Sequence, residues 1–167
     1  FMIIPIYLVN QGGINLSEHW QIYLPVLFFS FLLMIPIIIF SEKFNKIKIA
    51  FLSSIIILFL AQLVFIIFGN TLFGIILALL IYFVGFNFLE ASLPSLVSKI
   101  APINKKGLAL GVYNTSQSLG IFVGGALGGL ITKVYGYNAS FIFCIALIFL
   151  WFVLSLGMKV GNYKKAN

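Results

Sequence analysis

Only three carboxylates occur in this 167-residue chain, Glu18, Glu42 and Glu90, and the last stands where charge is hard to place. The stretch FVGFNFLEASLPSLVSK (83–99) sets Glu90 nine residues before Lys99, roughly 13 Å along a helix. A charge near a bilayer centre costs about 2.5–3.5 kcal/mol on the insertion scale, so an acid at that depth is a functional candidate by default. Three roles fit it. Glu90 could carry a proton, taking it up when dry and releasing it when a conformational change wets it. It could bind a cationic substrate directly, or serve as a structural carboxyl bonded across the bundle. Asn87, one turn earlier on the same face, could hydrogen-bond Glu90 or share its ligand. Pro94 removes a backbone donor and is expected to bend or end the helix just below.

A second polar cluster lies in GVYNTSQSLGIFVGGALGGL (111–130), where Tyr113 to Ser118 all carry hydrogen-bonding side chains. At about 100° per residue, Gly107, Gly111, Asn114, Ser118, Gly125 and Gly129 share one seam, and Tyr113, Gln117, Gly120, Gly124 and Gly128 a second. Leu108, Val112, Leu119, Phe122, Val123 and Leu130 take the remaining arc, which suits lipid or apolar neighbours. Spaced glycines let backbones approach closely, so two seams predict two close neighbours or one that slides. Interhelical hydrogen bonds account for any single polar residue here. Six in a row exceed what one turn can aim at a neighbouring helix, so Tyr113, Asn114, Gln117 and Ser118 are expected to line an aqueous cavity.

These residues need elements to hold them, and the composition names the kind. The chain is 62% hydrophobic and 8% charged, with a mean hydropathy of +1.19. A soluble domain of this size has too little interior to hide that much apolar surface. Five continuous apolar runs, 21–40, 49–68, 72–98, 107–132 and 139–158, are each long enough to cross about 30 Å of hydrocarbon as a helix. They do not alternate as barrel strands would. The fold class is therefore an all-α polytopic membrane protein. The second and fifth runs, nearly free of polar residues, suit the bundle periphery. The opening run 1–9 is too short to span and reads as the remnant of a further, partial helix.

The net charge of +7 comes from lysines clustered between the apolar runs, which points to topology and not to nucleic acid. Lys43, Lys46, Lys48, Lys99, Lys105, Lys106 and the tail lysines 159, 164 and 165 share one side, and Lys133 lies opposite. By the positive-inside rule that side, with the tail 159–167, is cytoplasmic. The lone Cys144 forms no internal disulfide and suggests packing. Trp20, after Glu18 and His19, and Tyr135 and Tyr137 suit interfacial anchors.

The segments SEHWQIYLP (17–25), FNFLEASLPSLVSK (86–99) and KGLALGVYNTSQSLGIFVGGALGG (106–129) resemble the C-terminal half of a major facilitator superfamily transporter, closest to the YajR-like drug/proton antiporter subgroup. The resemblance implies that 1–9 corresponds to family helix seven and the five full spans to helices eight to twelve. It implies half of a bundle, with the N-terminal half missing. SEKFNKIK (41–48) then resembles a degenerate second copy of the family's Asp-Arg-x-Gly-Arg gating loop, with Glu42, Lys43, Asn45 and Lys46 in the motif's places. Asn tolerates the left-handed backbone that Gly supplies, and lysines keep the charge without arginine's fork. In the family the loop's acid engages a helix N-terminus of the other half and holds the gate closed. Without the resemblance, 41–48 reads as a solvated topogenic loop. The relatives also carry a soluble domain beyond the last span, so the chain reads as a fragment or the product of a broken gene.

The implied activity is that of a secondary transporter in a bacterial inner membrane, a proton-coupled exporter of small lipophilic or drug-like molecules by alternating access. Its partners would be that substrate, protons, lipid and the missing half. No cofactor is expected. A phosphate-binding GxxxxGK[ST] loop is absent from the sequence, and the sole His has no catalytic companions, so neither an ATP-driven pump nor a membrane enzyme is expected. One His and one Glu are too few for zinc. A non-transporting membrane scaffold is the alternative.

Overall fold

In hydrocarbon a backbone N–H has no partner but its own chain, and continuous apolar runs therefore settle as helices. The computed structural model describes residues 3–44 and 46–158. Phe1, Met2, Asn45 and the tail 159–167 with its lysines lie outside the described residues. Among the described residues there is no strand, and six α-helices follow in order: α1 (Ile4–Asn10), α2 (Trp20–Lys43), α3 (Ile47–Phe68), α4 (Leu72–Ile100), α5 (Lys106–Tyr135) and α6 (Tyr137–Leu156). Five of them are long and apolar enough to cross a membrane, as the sequence led us to expect.

Helix ends reach past the apolar runs, because a helix continues into the interface while hydropathy marks only the greasy middle. Ser41 to Lys43 close α2 and Ile47 and Lys48 open α3, so five residues of the expected loop 41–48 are helical. Thr71 caps α4, its hydroxyl accepting from the Gly74 N–H at 3.1 Å. α5 and α6 are joined by Gly136 alone, whose φ of 84° and ψ of 176° belong to a region essentially reserved for glycine.

α4 is the hub, with α3 and α2 packed along it, α6 against α3, and α5 bordering α4 and α6. The expectation that the second span is peripheral is corrected: α3 buries Ala50, Phe51, Ser54, Ile55, Leu58, Ala61 and Phe65. Its close fit to α4 depends on Gly85. A Cβ there would stand 3.0 Å from the Ser54 carbonyl oxygen and 3.1 Å from Ile57 Cγ2. The Ser54 hydroxyl, fully buried, turns back to the Ala50 carbonyl at 2.9 Å and asks nothing of α4.

Two apolar clusters flank the middle of the bundle. Away from the lysines, Leu8, Ile22, Val26, Ile75, Leu79 and Phe83 surround Phe65 stacked on Phe141, ring centroids 4.5 Å apart. Nearer the lysines, Phe51, Ile55, Leu58, Phe88 and Leu89 gather, with Trp151 edge-on to Phe51. Lys48 Nζ donates to the Leu156 carbonyl at 2.9 Å, setting a cation at the negative end of α6.

α5 differs from the rest. No residue of it is buried, and Leu108, Val112, Leu119, Phe122, Val123 and Leu130 are all exposed. Within this chain the glycine seams meet no neighbour: a Cβ added at Gly107, Gly111, Gly120, Gly124, Gly125 or Gly128 would meet nothing within 4 Å. Gly129 is half-buried. The close approach of α3 to α4 is instead at Gly85. Replacing Gly85 by Val should force α3 from α4 and destabilise the bundle by about 1–3 kcal/mol, read as earlier unfolding in detergent. The same change at Gly120 should leave unfolding nearly unmoved.

Candidate functional site at the α4–α5 junction

Pro94 neither ends α4 nor keeps it short, since the helix runs on to Ile100. Its missing N–H deprives the Glu90 carbonyl, four residues earlier, of the usual intrahelical partner. Ser92 turns its hydroxyl back to the Phe88 carbonyl at 2.6 Å and so leaves the Glu90 carbonyl without that donor.

The Glu90 side chain leaves α4 toward α5, where Gln117 Nε2 donates to its Oε1 at 2.7 Å. Tyr113, one turn before Gln117, is close enough to feel the same charge. Glu90 is exposed within this chain, while Gln117 and Tyr113 are half-buried. A carboxylate with one oxygen held by an amide and the other without a hydrogen bond among the described residues can take a proton or accept from a cationic or hydroxylic ligand.

The polar hexad of α5 divides by direction. Tyr113 and Gln117 face α4. Thr115 and Ser116 donate back to the Gly111 and Val112 carbonyls, both at 2.9 Å, and satisfy themselves within the helix. Asn114 and Ser118 are exposed on the adjoining strip. One turn therefore does absorb two of six polar groups without water, which weakens the counting argument made from sequence and leaves Tyr113, Asn114, Gln117 and Ser118 as the outward-directed set.

Asn87 takes a partner other than Glu90. Its Nδ2 donates to Ser30 Oγ on α2 at 2.9 Å, and the fully buried Ser30 passes its own proton to the Leu27 carbonyl at 2.7 Å. This bond ties α2 to α4. Ser30 went unremarked in the sequence, although it is the sole polar side chain between Tyr23 and Ser41 of α2, which was the available signal.

At the lysine-rich end, Glu42 pairs with Lys99 of α4 at 3.3 Å. Both are well exposed, so the bond holds orientation more than it holds the fold. Lys43 lies over the Phe44 ring and Lys46 over Phe40, at 5.9 and 5.8 Å from the centroids. Asn45, third of the gating-loop candidates, lies outside the described residues. At the other end His19 is buried with its Nε2 3.3 Å from the Ile14 carbonyl oxygen, leaving Trp20 exposed. Cys144 is exposed rather than packed. It borders a cavity of about 150 Å³ between α1, α3, α4 and α6, lined also by Gln62, Phe65, Tyr82 and Phe141.

Long apolar helices gathered around one hub, with an acid–amide pair at the edge of a helix left unpacked, define a polytopic membrane protein with a polar seam. Residues 1–165 match the model of the Major Facilitator Superfamily, and the chain belongs to that family. It is 34% identical to the inner membrane transport protein YajR of Escherichia coli over 163 residues, which are 98% of this chain and 36% of the relative. It is 35% identical to an uncharacterized transporter of Buchnera aphidicola subsp. Baizongia pistaciae, over 93% of this chain and 40% of the relative. A shorter likeness, 29% over 41% of the chain and 17% of the relative, links it to the multidrug resistance protein MdtG of Proteus mirabilis. The chain thus spans well under half the length of the relatives it matches.

The Asn87–Ser30 bond should contribute about 0.6 kcal/mol, the mean for such bonds in a membrane protein. Asn87→Leu and Ser30→Ala should each lower stability in detergent. Combined, they should cost less than the sum; strict additivity would mean that the two side chains do not act together.

Proposed function

We propose that this chain is the C-terminal half-bundle of a secondary transporter and that the α4–α5 junction forms one wall of its transport path. The observation that carries this reading is the Glu90–Gln117 pair, set at mid-helix depth on the side where α5 remains uncovered. An ionisable group at that depth is costly and serves where a proton or substrate passes. Alternating access needs two halves rocking about a midplane site, so the whole activity requires more than the third of the relative's length that this chain matches.

In this reading Glu90 carries the coupling proton and Tyr113, Asn114, Gln117 and Ser118 line the path. The uncovered seams bearing Gly107, Gly111, Gly120, Gly124 and Gly125 receive helices of the other half. Glu42 and Lys99, with Lys43, Asn45 and Lys46, belong to a gate on the cytoplasmic side, where the C-terminus also lies. The direction is export and the cargo a small lipophilic molecule; the name of the Proteus mirabilis relative supports that class. The names of the matched relatives speak for transport over a passive scaffold and over catalysis.

Glu90→Gln in the full-length protein, reconstituted in proteoliposomes, should abolish the response of transport to an imposed pH gradient while leaving downhill movement of cargo measurable. Unchanged coupling would remove Glu90 from the proton path. Loss of nothing on replacing Glu90, Asn114 and Gln117 together by Leu would favour the scaffold.

A further inference from the structure

α5 is held to the chain in an uneven way. At its start the short segment 101–105 ties it to α4. At its end Thr132 Oγ1 lies 2.6 Å from Ser140 Oγ of α6, and Ser140 also donates to the Gly128 carbonyl. Between these two anchored ends, the one hydrogen bond from a side chain of α5 to another helix among the described residues is that of Gln117 to Glu90. The length from Gly120 to Gly128 carries four glycines with open space where a side chain would be. Each lowers the helix's preference for its regular form by about 1 kcal/mol relative to alanine. The middle of α5 is thus poor in helix-favouring residues, borders α4 and α6 without burying a residue in this chain, and is joined to α4 by one side-chain hydrogen bond.

From this geometry we infer that the Gln117–Glu90 bond is a latch, and that protonation of Glu90 loosens it and frees the middle of α5 to swing from α4. The inference rests on the reading of Glu90 as the proton carrier and adds the part that turns a proton into motion. A bond from an amide to a carboxylate is charge-assisted, and is roughly twice as strong as the neutral bond left after protonation. When the proton sits on the oxygen facing Gln117, the amide must also turn over to offer its own oxygen. Gln117 is therefore a positioning residue acting through Glu90. Beside the pair, α5 brings Tyr113. Further along the bundle, Lys99 of α4 is paired with Glu42 of α2, Lys48 of α3 with the Leu156 carbonyl, and Tyr82 of α4 lies by Phe86, while Tyr23 and Tyr7 belong to the opposite end, beside His19 and Phe65. No second carboxylate stands at this level among the described residues.

The test is a distance measurement by pulsed electron paramagnetic resonance on the full-length protein in liposomes at pH 8 and pH 4, the lower value chosen to protonate an ordinary glutamate. Spin labels go at Leu119 of α5 and Ile56 of α3, both exposed and outside the site, with Cys144 replaced by Ser. The population at longer distance should at least double at pH 4. Glu90→Gln, Gln117→Leu and Gln117→Asn, whose amide is one methylene short, should each show the longer distance at both pH values. Ser116→Ala, whose hydroxyl bonds only within α5, should keep the pH response. A wild-type distribution unchanged by pH, a normal response in either Gln117 variant, or loss of response in Ser116→Ala would overturn the latch. Proton-coupled flux through Glu90→Gln in the same liposomes keeps the two ideas apart. Coupling lost with distances unmoved rejects the latch and leaves the carrier standing; coupling retained rejects the carrier.

Discussion

A glutamate oxygen and a glutamine amide 2.7 Å apart connect the packed body of this bundle to α5, the long helix that buries no residue in this chain. In lipid such a pair is a constraint before it is a function. The carboxylate costs several kcal/mol to hold at that depth, and an amide that meets it offsets part of the cost. Everything else about the junction follows from where the two helices must lie for that bond to form.

The bundle accordingly has two textures. α2, α3 and α4 interlock through apolar clusters on either side of a central polar tie, Asn87 to Ser30, and through the Gly85 contact that brings α3 and α4 to near backbone distance. α5 contributes no buried residue and spends its small side chains on open space. In the proposed carrier the bare face of α5 is where the other half would sit. The Thr132–Ser140 bond keeps α5 registered against α6 at one end.

The helices were legible in the sequence because hydropathy reports directly on burial in lipid, and five apolar runs became five long helices. Glu90 and Gln117 were legible as isolated polar residues in apolar surroundings. Their pairing was not, because it depends on the rotation of α5 about its axis, which 100° periodicity leaves free. One glycine contact was not legible: GGALGG advertises packing through repetition, whereas Gly85 stands alone among bulky neighbours and only the Ser54 backbone opposite gives it meaning. Asn87 looked like a companion of Glu90 by spacing on one helix, but its partner, Ser30, lies 57 residues away on another. Thr115 and Ser116 counted toward the polar run of six, while a hydroxyl's reach to the carbonyl one turn back lets them serve the helix alone.

The account rests on water reaching the α4–α5 seam, and cysteine accessibility along α5 measures that most directly. Single cysteines at positions 112 to 123 of the full-length protein, on a background lacking Cys144, would be challenged in membranes with a charged, membrane-impermeant thiol reagent. Reaction at 113, 114, 117 and 118, with protection at 112, 119, 122 and 123, is the predicted pattern. Uniform protection, or reaction confined to the Leu119–Phe122 side, would contradict it, for the acid would then face a dry contact and not a path.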